Sequence, residues 1–88
     1  MARELYTTRT FDRLFKRLPK AIQGAAYEKL DLFLSDLGHP SLRVKRIRGT
    51  ERIWELSVTM NYRLTFEIDG ERIILRRIGT HDILRSPE

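Results

Sequence analysis

Apolar and polar residues alternate with two different periods along the chain, and the change of period divides the chain near its middle. In the first half, apolar residues recur every three or four positions, as on helices that bury one face. One such stripe predicts a helix over 11–18, and its members are Phe11, Leu14, Phe15 and Leu18. Thr10 is the expected N-cap of this helix, and Pro19 ends it or starts the next one.

A second helix is predicted over 20–37, and Gly38 is placed as its stop with Pro40 just beyond. The apolar residues along or beside one side of this helix are Ile22, Ala26, Leu30, Phe33, Leu34 and Leu37. A short strand over 5–8 comes before both helices, because this stretch is rich in strand formers. Two helices joined by so short a link indicate a helical hairpin that packs on another layer.

In the second half the period falls to two, which is typical of half-buried antiparallel strands. Strands are predicted over 53–58 and 62–68, joined by a tight turn at 59–61. The Asp69-Gly70 pair predicts a hairpin into a strand over 72–78, which is apolar on both faces at its start and is therefore expected to be central. A further strand is expected over 42–47.

These patterns predict an α+β fold in a single domain over residues 1–88. A short N-terminal strand and a two-helix hairpin occupy 1–40, and a three- to four-stranded antiparallel meander with the candidate active site occupies 41–88. The helices are expected to cover one face of the sheet. The other face is expected to be open to solvent or to a ligand, and its polar residues are Glu55, Ser57, Arg63, Thr65 and Glu67.

Composition adds a bias towards anionic partners, because the formal net charge is +5 and the isoelectric point is about 10.1. The chain has no cysteine, which excludes disulfides, thiolate zinc sites and cysteine nucleophiles. It also lacks a phosphate-binding glycine loop, a dinucleotide motif and a serine-hydrolase motif. We therefore expect neither a metal nor an organic cofactor. Since no apolar run is long enough to span a bilayer and the N-terminus lacks a signal-peptide core, we expect a cytoplasmic protein without a membrane partner.

A run of cations lies just before the predicted sheet, and its members are Arg43, Lys45, Arg46, Arg48 and Arg52. Cations grouped in this way can contact successive phosphates of a nucleic acid. The same residues also suit a solvated edge strand that avoids aggregation. The residues alone favour neither interpretation.

Arg63 lies in the middle of a predicted strand on the polar face. It is expected either to pair with Glu55 or Glu67 across strands, or to present its guanidinium to a phosphate. Taken alone, the residue pattern favours the ion pair.

The stretch "RRIGTHDIL" near the C-terminus holds one of the two histidines. By strand parity Arg77 shares a face with the apolar residues of its strand, and Gly79 is the expected place for a bulge or bend. His81 suits proton transfer near neutral pH, and Asp82 is placed to orient it or to carry charge. An ordinary strand end with a surface histidine explains the same residues.

Together the segments "HPSLRVKRIRGTERIWEL" and "NYRLTFEIDGERIILRRIGTHDIL" resemble the RelE/ParE superfamily of toxins from type II toxin–antitoxin pairs. The similarity extends over nearly the whole chain and includes the strand, helix, helix, meander order. The final stretch is most similar to the YafQ-like branch, in which an arginine and then glycine, threonine and histidine close the last strand.

The resemblance implies a RelE-like microbial-RNase fold and a ribosome-dependent mRNA endonuclease. In such enzymes the RNA 2′-hydroxyl attacks the adjacent phosphate without a metal, and a cognate antitoxin blocks the toxin. By position, His81 matches the catalytic histidine, Arg77 the phosphate-stabilising arginine, and Arg63 the arginine of the middle strand. The basic run is then expected to bind ribosomal RNA.

The same resemblance implies substrate-positioning roles for Tyr62, Asn61 and Glu55. The chain departs from the YafQ-like branch here, since Asn61 and Tyr62 stand where that branch has aspartate and tryptophan, and Glu55 or Ser57 stands in place of upstream histidines. The partners implied are a cognate antitoxin, the ribosome and mRNA, with a hetero-oligomer in complex and a monomer when free. The alternatives are a ParE-like inhibitor of DNA gyrase without catalysis and an inactive antitoxin-binding relic.

Overall fold

The protein, seen in a computed structural model that describes residues 3–85, consists of two helices and a five-stranded sheet. In chain order its elements are strand β1 (Glu4–Thr7), helices α1 (Arg9–Lys16) and α2 (Lys20–Ser35), a 3-10 helix (Pro40–Leu42), strands β2 (Lys45–Arg46), β3 (Trp54–Ser57), β4 (Tyr62–Asp69) and β5 (Arg72–Thr80), and a C-terminal 3-10 helix (His81–Arg85). The predicted α+β class and helical hairpin are confirmed.

The strands lie in the order β1-β5-β4-β3-β2. The last four form the predicted antiparallel meander. The sheet has five strands because the predicted N-terminal strand, β1, also joins it, by pairing parallel to β5. Residues 8–71, with both helices and strands β2 to β4, lie between the two paired strands, and local periodicity in the sequence does not reveal such a distant pairing. The strand β5 is internal, as its apolar start predicts.

The core lies between the helical hairpin and one face of the sheet. Phe33 of α2 and Phe66 of β4 are in tilted ring contact with centroids 4.8 Å apart. The other buried members of this cluster are Phe11, Ala26, Leu30, Leu42, Leu56, Val58, Leu64, Ile73, Leu75 and Ile78. The prediction that the helices cover one face of the sheet is therefore confirmed.

Helix α1 begins two residues earlier than its apolar stripe suggests. Its N-cap is Thr8, whose side-chain oxygen accepts a hydrogen bond from the backbone N–H of Phe11 at 3.1 Å. The expected cap, Thr10, lies inside the helix. Both threonines satisfy the cap preference, and Thr8 is selected because its hydroxyl also reaches carbonyl groups of β5.

The second helix ends at Ser35, two residues before its predicted end. Asp36 leaves the helical conformation, and the backbone N–H of Gly38 then donates to the Asp36 carboxylate at 3.2 Å. The stop is therefore an aspartate turn rather than a glycine cap. At the β4–β5 hairpin Gly70 has φ +62°, the left-handed conformation that the Asp69-Gly70 signal predicts.

The segment expected as a strand over 42–47 is mostly loop. Only Lys45 and Arg46 pair with β3, while Leu42 closes the first 3-10 helix. Leu42 and Ile47 are buried, so the apolar residues there anchor a turn instead of alternating along a strand. Among the helices described, none is both long and apolar enough to cross a membrane.

Candidate active site on the polar face of the sheet

A β-bulge in β5 decides which face of the sheet Arg77 occupies. Thr65 of β4 lies opposite Arg77, but the next residue, Phe66, lies opposite Leu75, so Arg76 is one residue extra on its strand. An extra residue reverses the alternation of side chains beyond it. Arg77 therefore lies on the polar face, and the parity argument that grouped it with the apolar residues of β5 is wrong.

Two threonines hydrogen bond to the backbone of the bulge. The N–H of Arg77 donates to Thr65 Oγ1 at 3.1 Å, in place of a regular ladder bond. From the other side, Thr8 Oγ1 lies 3.1 Å from the carbonyl of Leu75 and 3.2 Å from that of Arg76. The bulge is thus tied both to the centre of β4 and to the start of α1. Gly79, the residue expected at a bulge, pairs regularly with Arg63.

The bulge completes a row of polar residues across four strands. Lys45, Glu55, Thr65 and Arg77 lie opposite one another in succession from β2 to β5. Glu55 is 6% exposed and Thr65 is fully buried, although both lie on the face away from the helices. This face was expected to be open along its length, and at this row it is covered by neighbouring side chains.

Arg63 lies in the adjacent row and holds the β3–β4 turn. Its Nη1 donates to the carbonyls of Thr59 at 2.7 Å, Met60 at 3.0 Å and Tyr62 at 3.1 Å. Its Nε lies 3.8 Å from Glu55 Oε1. The ion pair favoured by the residue pattern is therefore made with Glu55, and the guanidinium also fixes the turn that leads into β4.

Arg76 and Glu67 form a separate pair on the same face. Arg76 Nη1 lies 3.0 Å from Glu67 Oε1, and both side chains are about a quarter exposed. Arg76 Nε is buried without a hydrogen-bond partner among the described residues. Of the two adjacent arginines, Arg76 is the extra residue of the bulge and pairs with Glu67, and Arg77 continues the polar row opposite Thr65.

His81 follows directly from the end of β5, where Thr80 lies opposite Tyr62. The C-terminal 3-10 helix begins at His81 and folds back over Gly79, since a Cβ atom built on Gly79 would lie 2.9 Å from Ile83 Cγ2. His81 is exposed. The expected partner Asp82 lies with its Oδ1 3.7 Å from Arg85 Nη2, in an exposed ion pair within the 3-10 helix.

The two residues at the start of β4 are positioned by a threonine turn. The backbone N–H groups of Asn61 and Tyr62 donate to Thr59 Oγ1 at 3.3 and 3.2 Å. Asn61 is exposed and Tyr62 half-buried. Over residues 3–85 no three histidine or acidic side chains form a group able to hold a metal ion.

The basic run extends from the sheet edge towards these residues, since Arg43 lines a cavity with Arg63 and Arg52 lines one with Arg76. Its five cations are all exposed and occupy β2 and the loops on either side of it. Strands β3 and β4 separate β2 from β5. The run therefore forms a basic surface at the sheet edge, and its Lys45 belongs to the row that ends at Arg77.

Three structurally important residues were not singled out from the sequence. Thr8 and Thr65 hold the bulge, and Lys29 approaches the first 3-10 helix, with its Nζ 3.5 Å from Ser41 Oγ. The local signal for Thr65 is its strand parity, which places it on the polar face between Arg63 and Glu67. Thr8 and Lys29 depend on long-range packing and carry no such local signal.

Comparison with solved structures identifies the fold. Neither a protein-family model nor a curated protein sequence matches the chain. A chain of the Escherichia coli DinJ–YafQ toxin–antitoxin complex superposes with a TM-score of 0.78 at 13% identity, covering 96% of this chain and 98% of that one. A chain of the RelB–RelE antitoxin–toxin complex from Methanococcus jannaschii gives 0.75 at 20% identity, covering 93% and 96%. A chain of the RelBE2 complex from Mycobacterium tuberculosis gives 0.69 at 24% identity, covering 92% and 100%. The RelE-like fold expected from the sequence is confirmed.

Proposed function

We propose that the protein is the toxin of a type II toxin–antitoxin pair and acts in the cytoplasm as a metal-independent, ribosome-dependent mRNA endonuclease. The observation that carries this proposal is the bulge at Arg76, which brings Arg77 onto the same face as Arg63 and next to the strand end that leads to His81. The RelE-like fold, shared with structures of toxin–antitoxin complexes, supports it.

The chemistry requires little from the protein, because RNA carries its own nucleophile. The 2′-oxygen attacks the adjacent phosphorus as its proton is removed, and the bond from phosphorus to the 5′-oxygen breaks as that oxygen gains a proton. The products are a 2′,3′-cyclic phosphate and a 5′-hydroxyl. A proton-transfer group and cations at the phosphate are sufficient for this reaction.

In this proposal His81 transfers the proton and Arg77 stabilises the charge that develops on the phosphate. His81 is exposed at the end of β5 and can reach a bound strand. Arg63 adds positive charge in the adjacent row, while its Nη1 remains on the turn carbonyls. Such preorganised cations are effective because the protein has already fixed their position before the charge forms.

Substrate positioning is assigned to Tyr62, Asn61 and Glu55. Tyr62 pairs with Thr80 at the strand end that leads to His81, and its half-buried ring packs against the core and offers its exposed part to an unstacked base. Asn61 is exposed in the same turn and offers hydrogen bonds to a base edge. Glu55 acts through Arg63, whose Nε it contacts at 3.8 Å.

The basic surface at β2 is assigned to the ribosome. Its cations are exposed on an edge strand and its flanking loops, so they can approach RNA phosphates without rearrangement. Its members are Arg43, Lys45, Arg46, Arg48 and Arg52. The affinity for RNA should then fall steeply with salt concentration.

The antitoxin is proposed to dock on the helical hairpin. Two adjoining cavities of about 460 and 260 Å³ share Tyr27 and Leu30, and Tyr27 is 65% exposed. The remaining lining residues are Leu5, Phe11, Asp12, Phe15, Lys16, Glu28, Asp31 and Leu34. An apolar groove with acidic residues at its rim suits an amphipathic segment with basic flanks. We propose a hetero-oligomer with the antitoxin and a monomer in its absence.

Expression in a bacterial host without the antitoxin tests the proposal. We expect growth arrest and rapid mRNA cleavage that His81→Asn abolishes. Filamentation with altered DNA supercoiling and intact mRNA would identify a gyrase inhibitor instead. Normal growth at a verified expression level would exclude both activities and leave an antitoxin-binding relic.

A further inference from the structure

A small cavity lies at the end of the sheet, between α2 and the β3–β4 turn. Its volume is about 270 Å³, and its walls are formed by Lys29, Ser41, Arg43, Ser57, Val58, Thr59, Met60 and Arg63. Three of these side chains are cations and three carry hydroxyl groups. None is acidic, so the cavity combines positive charge with hydrogen-bond donors.

Arg43 adopts a backbone conformation that arginine rarely takes. It has φ +50° and ψ +47°, and among residues 3–85 it is the one non-glycine residue with positive φ. Glycine takes this conformation without strain, whereas a residue with a Cβ atom does not. Strained residues of this kind concentrate at binding sites. The side chain at position 43 is therefore retained at a cost in backbone strain.

Lys29 and Ser41 also line this cavity and lie next to one another. Ser41 Oγ lies 2.9 Å from His39 Nδ1 and 3.5 Å from Lys29 Nζ. Neither Lys29 nor Arg43 forms an ion pair within the described part of the chain. Two uncompensated cations thus line one cavity, and the hydroxyl of Ser41 lies beside one of them.

We propose that Lys29, Ser41 and Arg43 form a second phosphate site, which binds an RNA backbone phosphate next to the proposed cleavage site. Arg63 connects the two, because its guanidinium fixes the turn carbonyls of Thr59 and Met60 that form one wall of the cavity. A second fixed phosphate sets the register of the RNA strand across the proposed catalytic residues. The choice of RNA as ligand rests on the proposed function, but occupation of the site does not require cleavage.

Binding to a short 2′-O-methyl RNA oligonucleotide tests the site, because this probe has no free 2′-hydroxyl and cannot be cleaved. We expect Lys29→Gln and Arg43→Gly each to raise the dissociation constant by roughly three- to tenfold, the effect of losing one charge-assisted contact. Each should also reduce the slope of log affinity against log salt concentration by about 0.7. Glycine at position 43 accepts the left-handed conformation, so its unfolding midpoint in urea should equal or exceed that of the wild type.

Lys20→Gln is the matched control, because it removes the same charge from an exposed position at the start of α2. An equal loss of affinity in this control would overturn the proposal, since only net charge would then matter. Unchanged affinity in both Lys29→Gln and Arg43→Gly would also overturn it.

Amide NMR shifts separate the sources of phosphate: saturation by inorganic phosphate at lower concentration than by the oligonucleotide would exclude RNA as the ligand. If the protein does not cleave RNA but still loses affinity for the oligonucleotide when Lys29 or Arg43 is replaced, the phosphate site stands even though the proposed catalytic activity fails.

Discussion

Arg77 lies directly opposite Thr65, and the backbone N–H of the arginine donates to the threonine hydroxyl at 3.1 Å. The bond closes the bulge created by Arg76 and keeps Arg77 on the polar face. Thr65 is fully buried, so its hydroxyl and the N–H depend on each other for hydrogen bonding. A single buried side chain thus determines the orientation of the arginine proposed to contact the phosphate.

Replacing Thr65 with valine should therefore destabilise the fold and impair RNA cleavage together. The change keeps the shape of the side chain but leaves the Arg77 N–H buried without an acceptor, which costs about 1–3 kcal/mol of the free energy of unfolding. Urea denaturation measures this cost. Thr80→Val, at an exposed position of the same sheet, is the control and should change stability by less than about 0.5 kcal/mol. Equal stability of the two variants would contradict the role given to Thr65.

This bulge also explains why the sequence predicted the sheet better than the site. Strand periodicity placed β3, β4 and β5 correctly because each strand has one face buried by the helices. The same periodicity put Arg77 on the wrong face, because a bulge leaves no local signature in residue types. Its determinants are Thr65 on another strand and Thr8 at the far end of the chain, and both act through tertiary contacts.

The parallel pairing of β1 with β5 was missed for a related reason. Alternation indicates that a segment is a strand but not which neighbour it pairs with, and β1 contributes only four residues. The first helix cap was misassigned between two threonines of equal propensity. Contacts with β5 determine both the pairing partner of β1 and the residue that caps α1. The residues next to Thr8 in the sequence give no indication of those contacts.

Thr8→Ala should cost about 1–2 kcal/mol of stability, because it removes the α1 cap and the hydrogen bonds to the bulge carbonyls. Thr10→Ala is the matched control, and its free energy of unfolding should stay close to the wild-type value. Thr8→Ser retains the hydroxyl and should recover most of the loss. If Thr10→Ala proved the more damaging change, the cap would be at the position expected from the sequence.

Gly79→Ala should displace the C-terminal 3-10 helix. The added Cβ would lie 2.9 Å from Ile83 Cγ2, which belongs to a stiff β-branched side chain, so the helix must move. We expect a loss of about 1–3 kcal/mol in stability, the usual effect of overpacking, together with reduced cleavage as His81 moves. The double variant Gly79→Ala with Ile83→Ala removes the clash. Its loss of unfolding free energy should therefore be smaller than the sum of the losses in the two single variants. Simple additivity in this cycle would show that the two side chains do not meet.

The adjacent arginines provide the sharpest test of the proposed site, because they differ in surroundings but not in chemistry. Arg77→Gln should reduce RNA cleavage by about 100-fold or more, the typical cost of removing a group that stabilises transition-state charge. Arg76→Gln should leave cleavage within about threefold of wild type and lower stability by up to about 1 kcal/mol, because its partly exposed pair with Glu67 contributes little.

Both variants lose one positive charge from the same strand, so a general effect of charge on RNA binding would weaken them equally. Rates measured with the ribosome-bound message, with urea denaturation in parallel, separate the two outcomes. A larger loss of cleavage for Arg76→Gln than for Arg77→Gln would mean that the bulge presents the other arginine to the phosphate.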